Sequence, residues 1–265
     1  MAQACSSDGE ISRSLPLPEF IEEAKRLVFA IAKNGLKMRL LGALAFNWHC
    51  PRFGYLQARL GRRFTDIDFV AYSEDCENVK RFLTQMGYKE DPMVSALFGT
   101  GRLLFHDELN GRHADVFFDK MEFCHDLPFR GRLEADFPTL PLAELVIEKM
   151  QIVEINEKDI IDTVMLFREH EVGFTDDETI NARIIARLCA NDWGLWRTLT
   201  MNLEKVKALM ERYEGLTQED KDCVRRRVDF LSEIIAKEPK SLKWKIRNKV
   251  GDKVKWYRDV EELQR

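Results

Sequence analysis

The sequence predicts an α+β fold: an α+β lobe over residues 15–139, then an all-helical lobe over 140–265. Three observations lead there. The runs LKMRLLG and TDIDFVAY are short, apolar and bounded by turn-forming residues, as strands are. RLLFHDELNGRHADVFF reads as two strands around an Asn110-Gly111 turn, a strong hairpin signal. From Pro141 onward the apolar residues recur at helical rather than alternating spacing.

Each element has its own punctuation. LPLPEFIEEAKRLVFAIAKNG starts with Pro, carries acids in its first turn and stops at Asn-Gly, which predicts a helix. LKMRLLG is the first strand and runs into Gly42, from which ALAFNWHC leaves as a helix. RFGYLQARLGRR has mixed signals and reads as an insertion before the second strand, TDIDFVAY. SEDCENVKRFLTQMGY predicts a helix capped by Ser73 at one end and Gly87 at the other, with Val79, Phe82, Leu83 and Met86 on one side. After the hairpin, five helical segments follow: LPLAELVIEKMQIVEI, EKDIIDTVMLFREH, DDETINARIIARLCA, LWRTLTMNLEKVKALMERY and EDKDCVRRRVDFLSEIIAK.

Composition sets the class. A hydrophobic content of 45% beside 32% charged residues is that of a globular protein rather than a disordered one. Residues 237–258 carry nine Lys/Arg against two acids in a chain of net charge −4, so an acidic body bears a basic tail. The six cysteines form no C-x-x-C pair and no zinc spacing, as expected of reduced thiols in a cytoplasm. No apolar stretch is long enough to span a bilayer. Residues 1–14 are polar, unlike a signal peptide, and are expected to be frayed.

The strand TDIDFVAY holds the chemical interest. Side chains alternate along a strand, so Asp66 and Asp68 emerge on one face, where like charges repel. Asp115, in the far arm of the hairpin, joins them if its strand pairs alongside. Three converging carboxylates suit a hard divalent cation, Mg²⁺ or Mn²⁺, which takes oxygen ligands and offsets their repulsion. Asp119 shares the parity of Asp115 but lies too far along the strand, and reads as a strand-end residue.

Leu41-Gly42-Ala43 after the first strand, Asp66-Ile67-Asp68 on the second and Asp115 on a later one together resemble the nucleotidyltransferase superfamily of polymerase-beta-like fold. LPLAELVIEKMQIVEINEKDIIDTVML resembles the segment that follows that core in the toxin-type nucleotidyltransferases of type IV toxin–antitoxin systems. The likeness spans residues 36–167. It implies a minimal nucleotidyltransferase sheet, a nucleoside triphosphate as substrate and transfer of its nucleoside monophosphate to an acceptor hydroxyl on RNA, protein or a small molecule such as an antibiotic. It further implies that Asp66 and Asp68 bind the metals and that Asp115 shares one and helps deprotonate the acceptor. Gly42 and Ala43 would present backbone amides to phosphate. Lys149 would touch the phosphates and Asp162 orient it, with Lys158 and Asp159 beside them. Two departures stand out. The family prefers Gly-Gly or Gly-Ser where this chain has Gly42-Ala43, and a long insertion separates Gly42 from Asp66. Arg52, Arg59, Arg62 and Arg63 of that insertion, Arg63 above all, are candidates to supply the missing phosphate contacts. The rival reading keeps the fold and NTP binding but loses turnover.

Other features weigh less. The five histidines make no H-x-x-x-H pair, which argues against catalytic zinc, and neither a G-x-S-x-G elbow nor a P-loop is present. The tail combines lysines with Trp244, Trp256 and Tyr257. It could dock an RNA acceptor through phosphates and stacked bases, pack its tryptophans on the helical lobe, or meet an anionic membrane surface.

Overall fold

The computed structural model describes residues 15–260; the expected frayed segment 1–14 lies outside them. Helix α1 (Phe20–Lys33) precedes strand β1 (Met38–Leu41), helices α2 (Gly42–His49) and α3 (Tyr55–Arg59), and strand β2 (Asp66–Ala71). Helix α4 (Cys76–Gln85), strand β3 (Lys89–Glu90) and helix α5 (Pro92–Phe98) lead to the hairpin β4 (Arg102–Asp107) and β5 (Arg112–Phe118). A small hairpin of β6 (Lys120–Glu122) and β7 (Asp126–Pro128) follows. The second half holds α6 (Leu142–Met150), α7 (Glu157–Glu169), β8 (Val172–Gly173), β9 (Ile180–Asn181), α8 (Ala182–Asn191), α9 (Trp193–Met210), α10 (Gln218–Lys237) and α11 (Leu242–Asn248).

The five-stranded sheet has the order β1-β2-β5-β4-β3. Only β2 and β5 are parallel; the remaining neighbours are antiparallel. The α+β expectation therefore holds, with a mixed sheet. The Asn110-Gly111 turn forms as expected, and Asp107 organises it: its Oδ1 accepts the amides of Leu109 and Asn110 at 3.1 and 3.2 Å. Beyond β1 the chain returns at the start of the helical half, where Leu40 bridges Thr139 in parallel and donates to the Pro138 carbonyl at 2.8 Å.

Three details differ from what the sequence predicts. Ser73 does not cap α4; its hydroxyl donates to Asp119 Oδ2 at 2.5 Å, and a short 3₁₀ turn precedes the helix. A nearby carboxylate outcompetes the weaker backbone amide. Asp119, at φ 59°, does end its strand as expected. Helix α5 was not expected, although Asp91-Pro92 is a helix-start pair: Asp91 Oδ1 accepts the amides of Met93 and Val94 at 2.9 and 3.1 Å. The second half is not wholly helical, since β8 and β9 form a two-residue parallel ladder, too short for any periodicity.

One buried apolar cluster runs from Ala24 through the sheet to Ile235, so both halves share a core. Helices α6 and α7 are buried almost all round, as befits central helices. No helix among the described residues is long and apolar enough to cross a membrane.

Candidate functional site

The parallel pairing of β2 and β5 sets Asp68 directly beside Asp115 and Asp66 beside His113. Because paired residues share a face, all three aspartates come together as the alternation predicted. Leu41, the last residue of β1, pairs with Asp68 from the other side, and the chain turns there into α2 through Gly42 at φ +68°. A β-carbon at Gly42 would stand 2.2 Å from Asp68 Oδ2. Glycine is required twice over, by its left-handed backbone and by the carboxylate lying across it.

The opposite wall comes from α6 and α7. Lys149 Nζ lies 3.1 Å from Glu148 Oε1, 3.4 Å from Asp159 Oδ1 and 4.0 Å from Asp162 Oδ2. Lys149 and Asp162 thus meet as expected, while Lys158 is exposed on the first turn of α7. Glu148, not among the residues singled out in the sequence, reaches further: its Oε2 accepts the Gly42 amide at 3.3 Å. Its signal was faint, an acid on a helix whose other acids and apolar residues are almost all buried.

The insertion contributes differently from expectation. Arg62, not Arg63, enters the site, with Nε 3.3 Å from Asp162 Oδ2, and its guanidinium also donates to the carbonyl of Arg63. The Arg63 side chain is exposed, as is that of Arg59. Arg52 is spent elsewhere, on Glu169 at 2.6 Å. Gln57, buried in the same insertion, donates to Asp162 Oδ1 at 2.7 Å and to the Ala43 carbonyl at 3.1 Å, tying the α2 turn to α7. A glutamine in an irregular segment gives no pattern by which to find it.

Asp115 is fully buried and has a cation of its own. Arg102, at the start of β4, places Nε 2.9 Å and Nη2 2.8 Å from the same oxygen, Oδ1. The guanidinium lies over the rings of Phe117 and Phe98 at 5.1 and 5.9 Å.

The charges explain one another. Burial, reinforced by Asp66, Asp115 and Glu148, holds the Asp68 carboxyl well above its ordinary range, against the pull of Lys149. Burial also raises Glu148 and Asp162, each opposed by Lys149. Burial works against the charge of Lys149, but Glu148, Asp159 and Asp162 outweigh it and raise its pKa. Among the described residues no group of three or more His, Cys, Asp and Glu side chains is arranged to hold a metal ion by itself. Around Asp68 the carboxylates Asp66, Asp115 and Glu148 gather with Lys149 as the opposing charge.

The basic tail folds back on the body. Trp244 is buried and packs edge-on to Trp196, centroids 4.9 Å apart. Trp256 donates from Nε1 to Thr198 Oγ1 at 3.0 Å, and Trp193 donates to Asn248 Oδ1 at 2.7 Å. Arg258 reaches the β6–β7 hairpin, bonding Asp126 at 2.6 Å. The tail's tryptophans are thus part of the helical lobe's packing.

The family models and the curated proteins compared with this chain include no match to it.

Proposed function

We propose that this cleft transfers a nucleoside monophosphate from a nucleoside triphosphate to an acceptor hydroxyl, releasing pyrophosphate. The observation that carries the reading is the position of Asp68: beside Asp115 on the parallel strand, across the left-handed Gly42 turn at the start of α2, and opposite Lys149. Mg²⁺ or Mn²⁺ is commonly held by one or two carboxylates together with substrate phosphates, so Asp66 and Asp68 suffice as the protein's share. Such an ion, once bound, neutralises charge developing on the transferred phosphorus. Asp115, as the third acid of the row, is the group to accept the acceptor's proton. Lys149, oriented by Asp162 and Asp159, binds the phosphates, and Arg62 extends that positive wall. Gly42 lets the phosphate approach the α2 amides closely.

A second reading has its own support. Glu148 occupies the Gly42 amide and Arg102 occupies Asp115, so the chain's own groups already engage two positions that turnover requires. On that reading the protein binds NTP without turnover.

A thermal shift with each of the four NTPs, with and without Mg²⁺, tests both on the wild type and Asp68→Asn, since a ligand of the folded state must raise the melting temperature. A Mg²⁺-dependent shift lost in the variant supports the site, and pyrophosphate release then separates transfer from binding. No shift with any NTP at millimolar concentration defeats both.

A further inference from the structure

We infer that the outer face of α11 is a docking surface for a bilayer rich in anionic lipid headgroups. Leu242, Ile246 and Val250 recur every fourth residue and are 74, 59 and 40% exposed, although the body beneath is well packed. The helical turn continues past α11 to carry the third of them, with the Val250 amide donating to the Arg247 carbonyl at 3.0 Å. Residues four apart on a helix share a face, so these three make one aliphatic stripe. Lys243 falls on one flank and Lys245 and Lys249 on the other. All three are exposed, and among the described residues none forms an ion pair. The inward side is taken by Trp244, by Arg247 over the Trp193 ring at 4.5 Å and by Asn248 bonded to Trp193.

The chemistry selects the occupant. A nucleic acid would be met by lysines and stacking rings, but Trp244 is buried and Trp256 is bonded to Thr198, and aliphatic side chains gain little against hydrated phosphates. A second copy of the chain would bring lysine flanks against lysine flanks. An anionic bilayer satisfies both halves of the pattern: the stripe enters the headgroup–acyl boundary while the lysines meet the lipid charge. The net charge of +7 over residues 237–258, on a chain that is acidic elsewhere, orients the molecule tail-first toward such a surface.

Flotation of the full chain with phosphatidylcholine vesicles, with and without phosphatidylserine, tests this. Association is expected only with phosphatidylserine present and to weaken as salt is raised. Each of Lys243→Gln, Lys245→Gln and Lys249→Gln should lower affinity about fivefold. Leu242→Ser with Ile246→Ser should lower it about tenfold or more, with the melting temperature unchanged because both residues are exposed; Ile246→Gln alone serves should the pair lower it. The inference is overturned by no binding to either vesicle, or by binding that the aliphatic substitutions leave intact. Equal binding of a single-stranded RNA oligonucleotide, or a concentration-dependent dimer lost in Ile246→Ser, overturns it as well. None of these outcomes bears on the nucleotide site.

Discussion

Asp68 Oδ2 sits 2.2 Å from the point where a side chain on Gly42 would begin, so the turn into α2 and the carboxylate row form one steric unit. Gly42→Ala should destabilise the protein by at least ~2 kcal/mol, combining the left-handed backbone with the clash. In an Asp68→Ala background the carboxylate clash disappears, leaving the Asp68 β-carbon at 3.2 Å and the backbone cost, so Gly42→Ala should cost less there. Urea melts of the four proteins give the comparison, and an equal cost of Gly42→Ala in both backgrounds contradicts it.

Asp68→Asn should stabilise the metal-free protein by on the order of 1 kcal/mol while removing Mg²⁺-dependent NTP binding. The sign follows from linkage. A carboxyl raised in the folded state binds more protons there than in the unfolded chain, so stability falls as pH rises above the ordinary carboxylate range. The asparagine variant should lose that decline, seen as a flatter plot of melting temperature against pH. A steeper one counts against the crowding of Asp68.

Arg102→Ala leaves Asp115 buried without the guanidinium that bonds its Oδ1, and should cost about 3 kcal/mol. Arg102→Ala with Asp115→Ala should cost less than the two changes summed. Additivity in chemical denaturation would mean that the pair contributes nothing as a pair.

His49 supplies an opposite pH trend. Burial, with His170 nearby, lowers its pKa to about 4. The folded state therefore resists protonating it, and stability is lost as pH falls from about 6.5 toward 4, by about 3 kcal/mol at the limit. His49→Gln should flatten this acid limb in calorimetric melts at several pH values and leave the trend attributed to Asp68 in place.

The parts of the site that were legible in the sequence are those governed by a period or a turn dipeptide. Asp66, Asp68 and Asp115 share a face because strands alternate, and Asn110-Gly111 located the hairpin that brings Asp115 alongside. Lys149 and Asp162 came from family resemblance and do meet. Arg102 was not legible, because its contact with Asp115 depends on the diagonal across a hairpin whose register only pairing reveals. The choice between Arg62 and Arg63 turned on one residue in an irregular insertion, where no spacing says which side chain faces inward. Glu148 was hidden by its neighbour, since Glu-Lys on a helix usually marks a solvated face. The β6–β7 hairpin has three-residue arms and no turn dipeptide, which left nothing to read.

The bridge between Leu40 and Thr139 has a consequence for the behaviour of many copies together. An open sheet margin is a template on which another chain can add a strand. Here the β1 margin is sealed by the chain's own residues 138–140, and the far margin shrinks to the two-residue β3. Once the segment leading into α6 has closed over β1, concentrated solutions lack a long seed for cross-chain ladders. Before it closes, the nascent sheet is at its most vulnerable to them.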